Sequence, residues 1–236
     1  MKRNFDEFTK SIVYALLRPD LTMAEIKKGC EEAVRLNLSA VCVQPFWVSY
    51  AKNFLKDSSL TLVSVVGFPH GLQCSDMKIQ EAMDTMRHGA EELDVVMNVG
   101  AWKSKLCEKV IEEIRSLTQA IDQVSGKSVP IKVIIEVGYW GNQQMKEIVF
   151  AMEKTGVTYI KTATGFGPSA GVTNATIKVI REAVGNRMKI QASGGIKTYT
   201  VAELLLDAGA DLVGTSHAPE IVRDAGMAYA SQNKAG

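Results

Sequence analysis

Eight short runs rich in β-branched residues recur along the chain with helix-patterned segments between them, and this alternation restricts the fold more than any other feature. The runs are SIVYALL at 11–17, SAVCV at 39–43, TLVSVV at 61–66, ELDVVM at 92–97, IKVIIE at 131–136, TYIKTA at 158–163, MKIQAS at 188–193 and DLVGTS at 211–216. Strand, helix and strand in repetition require parallel strands joined by right-handed crossovers. The intervening segments carry helix signals. In TMAEIKKGCEEAVRLN, Thr22 and Glu25 have capping-box spacing, and in SDMKIQEAMDTMRHGA, Ser75 is the expected N-cap and Gly89 the expected stop. Eight such units in 236 residues suit an α/β protein of (β/α)8 TIM-barrel type, with a short helix at the N-terminal end. A doubly wound open sheet shares the alternation. Such a sheet, when it binds dinucleotides, places its glycine-rich turn after the first strand, whereas here ASGGI and GTSHA follow the last two. The segment VSGKSVP at 124–130 is short enough for a helix-to-strand loop, so a single domain over 1–236 is expected.

Composition narrows the partners. With 46% hydrophobic residues the chain can bury a large core, and its net charge of +1 gives no electrostatic reason to bind nucleic acid or an anionic membrane. A small molecule or another protein chain is the expected partner. No apolar run approaches the roughly 18 residues of a membrane span, and MKRNFDEFTK is not followed by the apolar stretch of a signal peptide. A cytoplasmic location is therefore expected. Cys30, Cys42, Cys74 and Cys107 lack C-x-x-C spacing, which disfavours both a zinc site and a disulfide framework and predicts reduced, mostly buried thiols.

The stretch YIKTATGFG at 159–167 sets a lysine inside an otherwise apolar strand. A lone buried ammonium costs several kcal/mol unless it is paired or loses its proton. Side-chain alternation turns Tyr159 and Lys161 to one face, and Asp94, Val96 and Asn98 to one face of their own strand. In a barrel the inward positions near the C-terminal strand ends form the floor of the site, which brings Asp94, Glu136, Lys161 and Gln191 toward one pocket. Desolvation there favours a neutral amine able to attack a carbonyl and form a Schiff base, with Asp94 moving protons. A buried Asp94–Lys161 ion pair without chemistry is the competing reading.

The glycine loops weigh toward a site. SGGI at 193–196 and GTSH at 214–217 can present backbone N–H groups, and a helix beginning near Pro219 would aim its positive end at an anion. A phosphorylated substrate is expected there. His88 is expected at a helix end and His70 in a loop near the barrel mouth, neither with a metal-ligand neighbour in sequence. Trp47, Trp102 and Trp140 follow strand ends, where they would line the cleft, pack, or meet another subunit.

Taken together, LLRPD, VCVQPFWV, VVGFPHG, ELDVVMNVGAWKS, VIIE, IKTATGF, ASGGI and GTS, in this order, resemble the deoxyribose-phosphate aldolase family over nearly the whole chain. The resemblance implies a (β/α)8 class I aldolase that cleaves 2-deoxy-D-ribose 5-phosphate reversibly to glyceraldehyde 3-phosphate and acetaldehyde. It implies no metal or organic cofactor and a homo-oligomer. By the same resemblance Lys161 is the Schiff-base lysine and Asp94 the aspartate of the proton relay. Gly165, Gly194, Gly195, Gly214 and Ser216 form the phosphate cradle, and His217 stands where the family tends to carry a second serine. The chain departs from the pattern at several positions. Gln191 replaces a second catalytic lysine; Val13, Tyr14 and Ala15 replace Asp-His-Thr; Val137 replaces a threonine; and the tail SQNKAG lacks a terminal tyrosine. Those changes suit an altered substrate pocket. A second reading is a catalytically weak barrel that senses a sugar phosphate.

Overall fold

In the computed structural model, which describes residues 3–168 and 171–233 with the last two in backbone only, eight parallel strands close into a barrel in their chain order. They are β1 (Ile12–Leu16), β2 (Ala40–Val43), β3 (Thr61–Val66), β4 (Glu92–Val96), β5 (Ile131–Ile134), β6 (Tyr159–Lys161), β7 (Lys189–Ser193) and β8 (Leu212–Thr215). Each expected run supplies one strand. The closing pair sets Val13 of β1 opposite Gly214 of β8, so no sheet edge is left unpaired.

The short helix α1 (Phe5–Thr9) precedes the barrel, and the outer layer consists of α2 (Met23–Arg35), α3 (Val48–Phe54), α4 (Ser75–Arg87), α5 (Val99–Lys103), α6 (Cys107–Ser125), α7 (Asn142–Glu153), α8 (Asn174–Val184), α9 (Tyr199–Asp207) and α10 (Ala218–Asn233). Thr22 and Glu25 form the capping box that starts α2. Ser75 does not cap α4. Cys74 holds the N-cap position without a side-chain bond, and the Ser75 hydroxyl donates to Glu113 of α6 at 3.0 Å. That carboxylate also receives the buried Lys78 at 2.6 Å, and Ser75 is already the first residue inside the helix, where a side chain no longer stands in the cap position. Helix α4 stops as expected, with Gly89 taking φ +111° directly after the His88 cap.

Outward strand residues such as Ile12, Val41, Leu62, Val95, Val133, Ile160 and Val213 pack against the helices in the main core. The barrel interior divides in two. Val13, Leu17, Ala40, Cys42, Val63 and Val65 make a small apolar cluster under β1–β3, while charged groups occupy the side built by β4–β6. Among the described residues no helix is long and apolar enough to cross a membrane. The tail SQNKAG ends in residues 234–236, which lie outside the described residues.

Candidate active site

Lys161 sits at the last residue of β6 and Asp94 in the middle of β4, one strand apart across β5, with both side chains inside the barrel. Lys161 Nζ donates to Asp94 Oδ2 at 2.5 Å, and Cys42 Sγ donates to the same oxygen at 3.6 Å. The pair is almost completely closed to solvent, with Lys161 3% and Asp94 0% exposed. The lysine is therefore not alone in an apolar strand as its sequence context suggested.

A second lysine, absent from the sequence-based assignment, completes the cluster. Lys132 of β5 is the register partner of Asp94 and wholly buried. Its ammonium bonds Glu92 and lies 3.3 Å from Asp94 Oδ1, an ion pair without hydrogen-bond alignment. Burial opposes the charge on Asp94, but the ammonium groups of Lys161 and Lys132 outweigh it and hold the carboxyl below the ordinary range. Burial likewise opposes the Lys132 ammonium, and Asp94 and Glu92 overcome it and push that group above the usual lysine value. Burial first, then the Asp94 charge, keeps the Cys42 thiol protonated.

These shifts fix a stability window. A depressed Asp94 contributes fully above its unfolded value of about 3.9 and loses that contribution as pH falls through its folded value; a raised Lys132 contributes fully below about 10.4 and loses it as pH rises. The melting temperature of Asp94→Asn should accordingly fall less steeply on the acid side than that of the unsubstituted protein. Equal acid slopes in a thermal titration would contradict the assignment.

Lys161 opens on its other side into a cleft of about 280 Å³. The cleft wall includes Gly165, Gly194, Gly195, Gly214, Ser216 and His217, so all six expected cradle residues gather around the lysine. Gly194 and Gly195 take φ +103° and +73°, conformations that a side chain would strain, and their loop directs backbone toward the cleft. Its shape is held from beneath. Thr162 Oγ1 donates to the Ser193 carbonyl at 2.7 Å, Ser193 Oγ to the Ala163 carbonyl at 2.6 Å, and Thr215 Oγ1 to the Ile196 carbonyl at 2.7 Å. Helix α10 begins at Ala218, directly after Ser216 and His217, whose side chains meet at 3.2 Å. Arg18 and Lys197 add two cationic side chains to the cleft wall that the sequence reading passed over.

Three other expectations change. Gln191 pairs in register with Lys161 but is 0% exposed and does not line the cleft; both its amide atoms lack a partner. Its Nε2 lies 2.6 Å from where a Cβ on residue 214 would stand, so the amide occupies space that only glycine leaves free. Glu136 does not join Lys161. Strand β5 ends at Ile134, Glu136 takes φ +51°, and its carboxylate accepts from Thr164 N–H at 3.0 Å and from Thr164 Oγ1 at 2.5 Å. It lines a second cavity of about 590 Å³ together with His70, Lys103 and Tyr139, and Phe166 contributes to the walls of both cavities. Val137 is buried in the outer core, while Ala15 does line the cleft.

Two of the tryptophans follow the packing alternative. Trp102 and Trp140 are buried, with Trp140 Nε1 donating to the Ile135 carbonyl at 2.6 Å, and Trp47 stacks edge-on with Phe46 and Tyr50. Two of the four free thiols, Cys30 and Cys42, are buried, whereas Cys74 is exposed and Cys107 intermediate.

No family model matches the chain. Individual relatives do. The chain is 36% identical over 220 residues to a deoxyribose-phosphate aldolase of Dictyoglomus turgidum, covering 93% of this chain and 98% of that protein. It is 39% identical over 219 residues to one of Caldicellulosiruptor saccharolyticus, covering 92% and 98%. Among solved structures, an aldolase designated QR15 superposes with a TM-score of 0.89 at 33% identity, covering 95% of this chain and 98% of that one. A tetrameric deoxyribose phosphate aldolase from Aeropyrum pernix superposes with a TM-score of 0.85 at 26% identity, covering 93% and 91%. With a closed eight-stranded barrel, a buried lysine–aspartate pair at the floor of a glycine-lined cleft, and relatives matched over almost their full length, the chain belongs to the deoxyribose-phosphate aldolase family of aldehyde-lyases.

Proposed function

We propose that residues 1–236 form one class I aldolase domain in which Lys161 makes a Schiff base with a phosphorylated aldol substrate, 2-deoxy-D-ribose 5-phosphate or a close relative. The observation that carries this reading is the Lys161–Asp94 pair, 2.5 Å across, opening onto a cleft walled by Gly194, Gly195 and the residues before α10. The Lys161 amine adds to the substrate carbonyl, and loss of water leaves an iminium. As the C–C bond breaks, its electron pair moves onto the iminium, the β-hydroxyl gives up its proton, and the phosphorylated aldehyde departs. The enamine left behind is protonated at carbon, and water then releases the small aldehyde and restores the amine. Asp94, held as a carboxylate and hydrogen-bonded to the lysine, is the group placed to relay protons. The chemistry calls for no metal or organic cofactor.

The cradle makes the phosphate the main handle on the substrate. Backbone N–H groups of Gly194, Gly195, Gly214 and Ser216, the start of α10 and the His217 side chain supply donors and a positive helix end. The kcat/KM for 2-deoxyribose 5-phosphate should exceed that for free 2-deoxyribose by about 100-fold or more, as expected when charge-assisted hydrogen bonds are lost. Equal turnover of the two sugars would overturn the phosphate assignment. A barrel that merely sensed a sugar phosphate would bind it without forming a borohydride-trappable adduct, so the trapping assay separates the two functions. The protein is further proposed to act in the cytoplasm, a reading supported by its free cysteines, and as a homo-oligomer, as the tetrameric Aeropyrum relative suggests.

A further inference from the structure

We propose that Lys132 is a positioning residue for this reaction: braced by Glu92, its ammonium faces one oxygen of Asp94 and so keeps the other turned to Lys161 as an ionised acceptor. The inference rests on the aldolase reading above. Its basis is the arrangement Glu92–Lys132–Asp94–Lys161, drawn from β4, β5, β4 and β6, in which each lysine addresses a different carboxylate oxygen of Asp94. Two carboxylates and two ammonium groups balance inside the barrel.

Every element around Asp94 is accounted for. Strand β2 contributes the Cys42 thiol, β3 the apolar register partner Val65, β4 Glu92, β5 Lys132 and β6 Lys161. The Tyr159 ring of β6 has the Lys132 ammonium 5.3 Å and the Lys189 ammonium 5.5 Å from its centroid. Gln191 of β7 brings no charge. Lys132 is thus the one cation besides Lys161 that touches Asp94 among the described residues. A carboxylate with no exposure and only Lys161 for a partner would lose its counter-charge whenever Lys161 became a neutral amine, and desolvation would then drive it to take up a proton. Lys132 prevents this because its charge is held by Glu92 and is independent of the reaction at Lys161. Lys132 does not line the cleft, so it acts through Asp94 and not on the substrate.

The test measures kcat and KM for 2-deoxyribose 5-phosphate from about pH 3 to 9, a range that reaches down to a carboxylate limb starting below the ordinary value. Lys132→Met should lower kcat by about 10- to 100-fold, leave KM within about twofold and move the acid limb of kcat upward by about one pH unit, since Asp94 has lost its fixed counter-charge. Lys132→Arg should restore the limb. Glu92→Gln should move it the opposite way, because the Lys132 charge is then directed at Asp94 alone. If Lys132→Met does not fold, Glu92→Gln decides the question, with Lys132→Arg as the charge-conserving control. An acid limb that stays in place in Lys132→Met, or in Glu92→Gln where the Met variant does not fold, with kcat unchanged, shows Lys132 to be structural and overturns the proposal. Borohydride trapping on Lys161 in the unsubstituted protein is measured in parallel: its absence defeats the aldolase reading, whereas trapping with an unmoved limb defeats only the role of Lys132.

Discussion

Lys161→Arg should abolish covalent trapping of substrate by borohydride and lower kcat/KM by at least about 10⁴-fold, the range expected when a covalent nucleophile is removed and only binding groups remain. Arginine is the informative replacement. It keeps a cation opposite Asp94 and so preserves the 2.5 Å ion pair in kind, but its guanidinium stays protonated and cannot attack a carbonyl. Lys161→Met additionally leaves Asp94 with Lys132 as its single cationic partner, and breaking a buried pair of this type typically costs about 3–5 kcal/mol. Comparing the two variants separates lost chemistry from lost stability. Peptide mass analysis of the trapped unsubstituted protein should place the adduct on the segment containing Lys161; an adduct on Lys132, Lys189 or Lys197 would sink the assignment.

The second large effect concerns Gln191. Gln191→Lys should move the pH at which Schiff-base trapping saturates downward by about one unit and raise cleavage of 2-deoxyribose 5-phosphate by about tenfold or more. The side chain at 191 points into the barrel beside Lys161, its register partner on the next strand. In the native chain the charges in this interior balance. A third ammonium leaves one cation in excess, and that excess is relieved when Lys161 gives up its proton. The substitution also removes an amide with no hydrogen-bond partner at either end, a defect that ordinarily costs about 1–3 kcal/mol per unsatisfied group. A variant whose trapping profile and cleavage rate both match the unsubstituted protein would show that charge at this position does not govern the lysine. A gain in deoxyribose-phosphate cleavage would support the view that Gln191, by leaving out a charge beside Lys161, weakens the native site toward that substrate.

The eight strands were legible because each must be covered on both faces. A strand buried in that way reads as a run of β-branched residues, and the helix between two parallel strands is an unavoidable crossover. The glycine cradle was legible for a related reason, since loops that approach an anion through their backbone need residues without a Cβ. The lysine and aspartate stood out as charges in apolar runs. Lys132 meets the same criterion: alternation sets it on one face with Ile134 and Glu136 at the start of IKVIIE, and only its pairing with Asp94 across the strands gives that position a role. Glu136 itself illustrates the limit of alternation. Counting in twos predicts its face only while the strand lasts, and β5 ends at Ile134, after which a left-handed residue turns the carboxylate to Thr164. Ser75 shows the same limit at a helix end: its local pattern names a cap, and a carboxylate 38 positions along the chain takes the hydroxyl instead.

By itself the sequence determined the strand–helix alternation, the inward lysine and aspartate, and the glycine loops, because these follow from covalent periodicity, backbone freedom and burial over a few residues. Tertiary structure alone decided which charges meet. Barrel closure and strand register place Lys132 across from Asp94, stack Gln191 over Gly214, and part Glu136 from Lys161. Ion pairs depend on distances between residues tens of positions apart, and those distances exist only once β4, β5 and β6 have paired in register.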